Sequence, residues 1–288
     1  MSDALPTSRS PSEIYAEAVK WYGRHFVCLT GGYVQLDENG KQIGDERLFG
    51  ISAFVMSFGG EWFLVTAGHA LKEGIDDKIA TGRVKLLGTS IQDDFGPDAK
   101  GPYPTMFDYA SALKWYIDDR GLGLDVGLVH LRDFYRSGLE ANGVLPISEA
   151  NWVNQPTDLD DDYMLFGVPE ELTGPTVIEP GPTGEQLSAP ITAMLLHVTR
   201  TDTPHRELPP SKYPWFIGTV NTEPFGLNSI VGMSGGPIFG FRRYANGEQR
   251  YWVVALQSWW DPETRTIYGC PVPLFARLVA EAFANDAA

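Results

Sequence analysis

The sequence predicts a mostly β protein, folded as barrels or sandwiches and flanked by two helices. Short segments rich in aliphatic and aromatic residues recur along the chain, such as "FLVTAGHAL", "DVGLVHL" and "RYWVVALQSW". Loops containing glycine or proline separate these segments, and this alternation is typical of antiparallel all-β proteins. Gly59 and Gly60 join two such segments, which indicates a tight turn between paired strands.

The two helices are expected at the ends of the chain. Ser10 precedes Pro11 and is followed three residues later by Glu13, a capping box that predicts a helix from about Pro11 to Tyr22. Near the other end, "PLFARLVAEAFAN" places its apolar residues at helical spacing. The predicted organisation is a helical extension over 1–24, a first β-barrel over 25–135, a linker over 136–162, a second β-barrel over 163–270 and a closing helix over 271–288.

Composition and charge indicate a soluble globular protein and argue against two kinds of binding partner. Of the 288 residues, 43% are apolar and 20% are charged, which is typical of a soluble globular protein. The formal net charge of -15 argues against sequence-independent binding to nucleic acid and against binding to anionic membranes. The first ten residues lack the apolar core of a secretion signal, and the chain has only two cysteines, Cys28 and Cys270. We therefore expect a cytoplasmic protein with free thiols.

Ser234 is a candidate nucleophile because it lies in a glycine-rich segment, "GMSGGPIFG" at 232–240. Its first five residues match the Gly-x-Ser-x-Gly elbow of α/β-hydrolases. That class places its catalytic histidine after the nucleophile, whereas all five histidines of this chain precede Ser234. The sequence therefore excludes an α/β-hydrolase and favours an order in which the histidine comes first.

Two other segments supply a base and an acid in that order. In "LVTAGHAL", His69 follows an apolar strand and a small Ala67-Gly68 corner that lets the imidazole turn into a cleft. In "GLDVGLVHL", Asp125 stands directly before a buried β-segment, where its carboxylate is held out of bulk water. A hydrolytic serine needs a base that accepts its proton and a third group that orients the base. The order His69, Asp125, Ser234 supplies all three.

In these three segments the chain resembles the trypsin- and chymotrypsin-like serine peptidases, especially the bacterial branch without disulfides, over roughly residues 25 to 285. The resemblance implies two packed six-stranded antiparallel β-barrels. It also implies a serine endopeptidase that acts on a protein or peptide substrate without metal or cofactor, with Ser234 as nucleophile, His69 as proton carrier and Asp125 as orienting acid. The backbone N–H groups of Gly232 and Ser234 would form the oxyanion hole.

The resemblance also assigns residues that contact the substrate. "LQSWW" is similar to the strand that pairs with the substrate backbone, which maps onto Ser258 and Trp259 and puts Trp260 where the family has glycine. Asn228 stands six residues before the nucleophile, at the base of the family's specificity pocket. Because Asn228 is neutral, we expect a small or uncharged residue before the scissile bond, with Arg and Lys disfavoured.

Two departures from the family pattern concern activation and cross-linking. Met233 stands where trypsin-type zymogens have an aspartate, and Ala70 stands where secreted members have a cysteine. Both fit an enzyme made without a zymogen step and without disulfides, so we expect a narrow substrate range or a regulatory protein partner to restrain it. Two alternatives stay open: a peptide-binding protein of the same fold that does not cleave, and an esterase that uses the same three residues.

The acidic segment "DLDDD" at 158–162 is the one hint of a metal site. An EF-hand loop that began at Asp158 would need glycine at its sixth position and glutamate at its twelfth, where the chain has Tyr163 and Pro169. The histidines and cysteines show no zinc-ligand spacing. We therefore expect a solvated acidic loop and no metal.

Overall fold

The chain forms two antiparallel β units in succession, with a helix near each end. The computed structural model describes residues 9–100, 105–152, 162–174, 177–181, 184–202 and 211–286. Strands dominate these residues, so the mostly β fold class predicted from the sequence is confirmed.

The first β unit is a seven-stranded antiparallel sheet. Its strands follow the chain as β1 (Phe26–Leu36), β2 (Gln42–Phe58), β3 (Glu61–Thr66), β4 (Val84–Gln92), β5 (Thr105–Met106), β6 (Lys114–Asp119) and β7 (Leu124–Leu131). Their order in the sheet is β5-β4-β1-β2-β3-β7-β6. Gly59 and Gly60, both with positive φ, form the turn between the paired strands β2 and β3, as the sequence predicts.

A helical segment separates β3 from β4, and the sheet stays open. The segment consists of α2 (Gly68–Leu71), a π-type turn (Lys72–Asp76) and α3 (Asp77–Ala80). Strands β5 and β6 are the edges of the sheet, and no pairing closes it into a barrel within the described ranges. The expected six-stranded barrel is here an open seven-stranded sheet, because β5 has only two residues and β6 faces solvent, with five of its six residues exposed.

The second β unit contains a closed six-stranded antiparallel barrel, as predicted. Its strands follow the chain as β8 (Asp162–Gly167), β9 (Val177–Gly181), β10 (Gly184–Ser188), β11 (Met194–Arg200), β12 (Phe216–Val220), β13 (Pro237–Arg243), β14 (Gln249–Asp261) and β15 (Thr266–Pro271). The barrel order is β11-β12-β15-β14-β13-β8, and the pairing of β8 with β11 closes it. Strands β9 and β10 pair only with each other in the described residues.

The two predicted end helices are present. The first, α1 (Pro11–Gly23), begins at the capping box, in which the side chains of Ser10 and Glu13 each accept from the other's backbone N–H. The last helix runs over Val272–Asp286. No helix within the described ranges combines the length and the apolar character needed to cross a membrane.

The region between the β units, predicted as a linker over 136–162, begins inside a helix. That helix spans Asp133–Ala141, and we number it α4, which makes the closing helix α5. A short 3-10 turn follows at Glu149–Asn151. Residues 153–161 lie outside the described part of the chain, and with them most of the acidic segment at 158–162, so the solvated acidic loop stays a prediction.

The two β units share an apolar core, and this core fixes how they meet. Phe26 and Phe54 of the first unit belong to the same buried cluster as Phe166 and Phe239 of the second. The rings of Phe26 and Phe166 lie 4.8 Å apart across the junction. The Tyr22 ring of α1 adds a contact with Phe239 at 5.3 Å. Loops from both units are therefore held against one another along this junction.

Cys28 and Cys270 are both buried free thiols, as the sequence predicts. Burial raises the pKa of each thiol to about 12, so neither ionises near neutral pH. We expect iodoacetamide to leave both unmodified in the folded protein and to modify both after denaturation. A reducing agent should change neither activity nor melting temperature. A Cys28–Cys270 disulfide, detected by mass spectrometry of the native protein, would contradict this prediction.

Candidate active site

His69 and Asp125, the predicted base and acid, form a direct pair. Nδ1 of His69 lies 2.7 Å from Oδ2 of Asp125, and the backbone N–H of His69 donates to Oδ1 at 2.9 Å. The Asp125 side chain is 7% exposed, against 34% for His69. One carboxylate therefore orients both the ring and the backbone of the histidine. Because the carboxylate accepts at Nδ1, the ring proton sits there and Nε2 is left as an acceptor.

A glycine next to the histidine allows this close approach. Strand β3 pairs with β7, so the helical segment that follows β3 starts beside Asp125 at the beginning of β7. Gly68 lies so near β6 that a Cβ atom there would come within 2.2 Å of the Ile117 carbonyl oxygen. A larger residue at this position would collide with the backbone of β6, so glycine lets the helical segment that carries His69 lie against the sheet.

Negative charges around His69 raise its pKa above the ordinary value. Burial of the ring lowers the pKa, but the hydrogen bond to Asp125 and the charge of Asp125 outweigh it, with further contributions from Asp118 and Glu73. The pKa of Asp118 is itself raised, by burial and by the charge of Asp125. The site therefore favours the imidazolium, the form that His69 takes after it accepts a proton.

Ser234 lies in the loop that leads into β13, and this loop turns at two glycines. Gly232 has a φ of 95° and Gly235 a φ of 91°, both in the left-handed region that favours glycine. A Cβ atom at Gly235 would lie 2.0 Å from Oγ1 of Thr66, the last residue of β3. The loop that carries Ser234 is therefore seated on the residues that lead into His69.

Ser258 connects Ser234 to the histidine–aspartate pair. The Ser234 hydroxyl donates to the Ser258 carbonyl oxygen at 3.5 Å. Ser258 also lines the same cleft as His69 and Asp125. Within the described residues no hydrogen bond joins Ser234 to His69. Ser234 itself is not in the lining of this cleft. Hydrogen bonds between a nucleophile and its base are often long in a free enzyme and tighten when substrate binds.

Two backbone N–H groups of the loop, those of Gly232 and Ser234, have no acceptor in the described part of the chain. Their neighbours are bonded: the N–H of Met233 donates at 3.0 Å to a carbonyl three residues earlier, and the N–H of Gly235 donates at 2.7 Å to a carbonyl of β14. The two available donors are those that the resemblance assigns to an oxyanion hole.

A cleft of about 120 Å³ lies beside the His69–Asp125 pair. Its lining comprises His69, Glu73, Asp118, Arg120, Asp125, Trp215, Ser258 and Trp259. The cleft thus contains Ser258 and Trp259, two of the residues that the resemblance assigns to substrate binding. The sequence does not single out Glu73, Arg120 or Trp215. They come from three separate turns and loops, and no local pattern marks them.

The other two residues assigned to substrate binding, Asn228 and Trp260, are not in the lining of this cleft. Asn228 is exposed, and its backbone N–H donates to Oε1 of Glu171 at 2.9 Å. Trp260 packs against the apolar core of the barrel. Successive side chains of a strand point to opposite faces, so Trp260 turns inward where Trp259 turns to the cleft.

Comparisons with known proteins concern the fold. No family model and no curated protein matches the sequence. Among solved structures the chain is similar to the active form of the Rv3671c protease from M. tuberculosis, at 14% identity and a TM-score of 0.45 over 97% of this chain and 93% of that one. It is similar to the thermostable serine protease AL20 from an extremophilic microorganism, at 15% identity and a TM-score of 0.42 over 86% and 93%. It is also similar to tobacco etch virus protease complexed with product, at 11% identity and a TM-score of 0.41 over 96% and 84%.

Proposed function

We propose that this protein is a serine endopeptidase in which Ser234 attacks the scissile carbonyl and His69 carries the proton. The observation that supports this most is the Asp125 carboxylate, which accepts from both the ring and the backbone of His69. That pairing leaves Nε2 of His69 as the base. The Ser234 hydroxyl donates to the backbone oxygen of Ser258, a residue that lines the same cleft as His69, and this contact supports a nucleophile close to the base.

The reaction follows from these positions. The Ser234 hydroxyl turns from the Ser258 carbonyl toward Nε2 of His69, and Oγ adds to the scissile carbonyl carbon as its proton passes to Nε2. Asp125 stabilises the imidazolium, while the N–H groups of Gly232 and Ser234 donate to the carbonyl oxygen as it becomes negative. The C–N bond then breaks, and the imidazolium protonates the leaving amine. Water, deprotonated by His69, adds to the acyl group in the same way and frees Ser234.

The cleft suits an extended peptide as substrate. Ser258 and Trp259 lie at an irregularity in the pairing of β14 with β15, where the backbone of β14 leaves its regular register. The rings of Trp215 and Trp259 offer apolar surface to substrate side chains. Neither Asn228 nor Trp260 lines the cleft. The preference for a small or uncharged residue before the scissile bond therefore stays a prediction.

Cleavage of a randomised peptide library, with the products identified by mass spectrometry, tests the proposal. We expect the wild type to cut internal peptide bonds and Ser234→Ala to cut none. Ser137→Ala, which removes an exposed hydroxyl from α4, is the matched control and should act like the wild type. Hydrolysis of 4-nitrophenyl acetate without peptide cleavage would favour an esterase. Inactivity toward both would favour a protein that binds peptides without cutting them.

The pH profile provides a separate prediction. His69 must be neutral to accept a proton, and its pKa is raised, so kcat/KM should fall as the pH falls through a value above the ordinary 6.5. Asp118→Asn removes a charge that favours the imidazolium, and it should move this acid limb to lower pH. Asp133→Asn, at the exposed start of α4, is the control and should leave the limb in place. An acid limb unmoved by Asp118→Asn would contradict the assigned electrostatics.

A further inference from the structure

The hydroxyl of Ser52 lies behind the loop that carries Ser234 and joins the two β units. Ser52 belongs to β2 of the first unit and is 0% exposed. Its Oγ donates to the carbonyl oxygen of Gly232 at 2.8 Å and accepts from the backbone N–H of Val168 at 3.0 Å. Both of these partners belong to the second unit. One buried hydroxyl therefore satisfies two backbone groups across the junction.

The bond to Gly232 controls a peptide plane next to the nucleophile. The carbonyl of Gly232 and the N–H of Met233 belong to one planar peptide unit. Ser52 holds its carbonyl end, and a carbonyl three residues earlier holds its N–H end at 3.0 Å. This plane joins the Cα atoms of Gly232 and Met233, so fixing it also fixes the backbone from which the N–H groups of Gly232 and Ser234 extend.

The same part of β2 also supports the other side of Ser234. The carbonyl oxygen of Ser52 accepts from Oγ1 of Thr66 at 2.8 Å. Gly235 packs directly on this pair, since a Cβ atom there would lie 2.3 Å from the Ser52 oxygen and 2.0 Å from Oγ1 of Thr66. The loop is thus fixed before and after Ser234 by one stretch of the first unit.

Met233, which stands between Gly232 and Ser234, gives this loop no charged side chain. The Met233 side chain is fully buried in the apolar core of the barrel. The Met233 side chain therefore contributes apolar packing, whereas Ser52 contributes a side-chain hydrogen bond to this loop.

We propose that Ser52 is a positioning residue, whose hydroxyl holds the Gly232 peptide so that the N–H groups of Gly232 and Ser234 stay available to the substrate oxyanion. This inference rests on the proposed peptidase function. It makes activity depend on the packing of the two β units, and it requires no cleavage of the chain. Without the hydroxyl, the Gly232 carbonyl loses its donor, and this peptide plane is held at its N–H end alone.

Steady-state kinetics of the full chain test this role, with the best-cleaved library peptide as substrate. In Ser52→Ala we expect kcat to fall about 10- to 100-fold and KM to change little, because the oxyanion donors act only in the transition state. The matched control is Thr89→Val, which removes another buried hydroxyl of the first unit, from β4, two strands away from β2. It should lower the melting temperature and leave kcat unchanged. The control therefore distinguishes a loss of stability from a loss of catalysis.

The possible outcomes separate the two proposals. If the wild type cleaves peptides and folded Ser52→Ala keeps its kcat within about twofold, the positioning role is overturned and the peptidase function stands. If the wild type cleaves nothing, both are overturned. Should Ser52→Ala fail to fold, Ser52→Cys replaces it, since a thiol is a weaker donor of similar size. Folded Ser52→Cys must then lose kcat at unchanged KM, and an unchanged kcat overturns the role.

Discussion

Ser234→Ala and His69→Ala are each expected to abolish peptide cleavage, with losses in kcat on the order of 10⁴ to 10⁶. Without Ser234 there is no oxygen to form the acyl-enzyme, and without His69 no base takes its proton. Because the two residues act as a unit, the double variant should be little worse than either single variant. Both variants should stay folded, because within the described residues the Ser234 hydroxyl makes one long bond, at 3.5 Å, and His69 is one-third exposed.

A matched control for His69→Ala is His130 in strand β7 of the same β unit. Nε2 of His130 lies 2.9 Å from Oε2 of Glu61, so this pair also joins an imidazole to a carboxylate. His130 is not in the lining of the cleft. His130→Ala should therefore keep the kcat of the wild type. Activity above a few per cent in Ser234→Ala would show that another group is the nucleophile.

Asp125→Asn should lower kcat by about 10⁴ near neutral pH with the fold unchanged. Its remaining oxygen can still accept from the backbone N–H of His69, where Oδ1 accepts now at 2.9 Å. The amide NH₂ then faces Nδ1, which must become an acceptor, so the ring proton moves to Nε2. In that tautomer His69 cannot take the proton of Ser234.

Asp118→Asn is the comparison for this variant at a pH well above the acid limb. Asp118 lines the same cleft and influences His69 through its charge, but it makes no hydrogen bond to the ring in the described residues. Its neutralisation should therefore leave kcat at high pH close to that of the wild type. If Asp125→Asn turned over normally and Asp118→Asn did not, the orienting acid would be Asp118.

Local signals predicted the parts of the fold whose causes lie close together in the sequence. The capping box of Ser10 and Glu13 begins α1, and the Gly59-Gly60 turn joins β2 to β3. The strand pattern alone left barrel and sandwich open, and the closed barrel of the second unit was predicted from the resemblance. The open edges of the first sheet were not predicted. Whether β6 pairs on its outer side depends on distant strands rather than on its own residues.

The residues of the candidate site likewise fall into those that local sequence predicts and those that it does not. His69 and Asp125 could be predicted because each stands at a strand boundary with a small or buried neighbour, and the structure pairs them at 2.7 Å. The role of Ser52 could not be predicted, because its hydroxyl contacts Gly232, 180 residues later in the chain. A serine in a strand carries no local signal of such a contact. Trp215 is likewise brought to the cleft only by the closure of the barrel.

Labelling with a fluorophosphonate tests the central claim, that His69 activates Ser234 as a nucleophile, most directly. The reagent reacts with an activated serine whatever peptide the enzyme prefers, and peptide mass spectrometry locates the adduct. We predict a single adduct on Ser234 in the wild type, none in Ser234→Ala, and strongly slowed labelling in His69→Ala. A wild type that stays unlabelled, or an adduct on any other serine, would contradict the assignment.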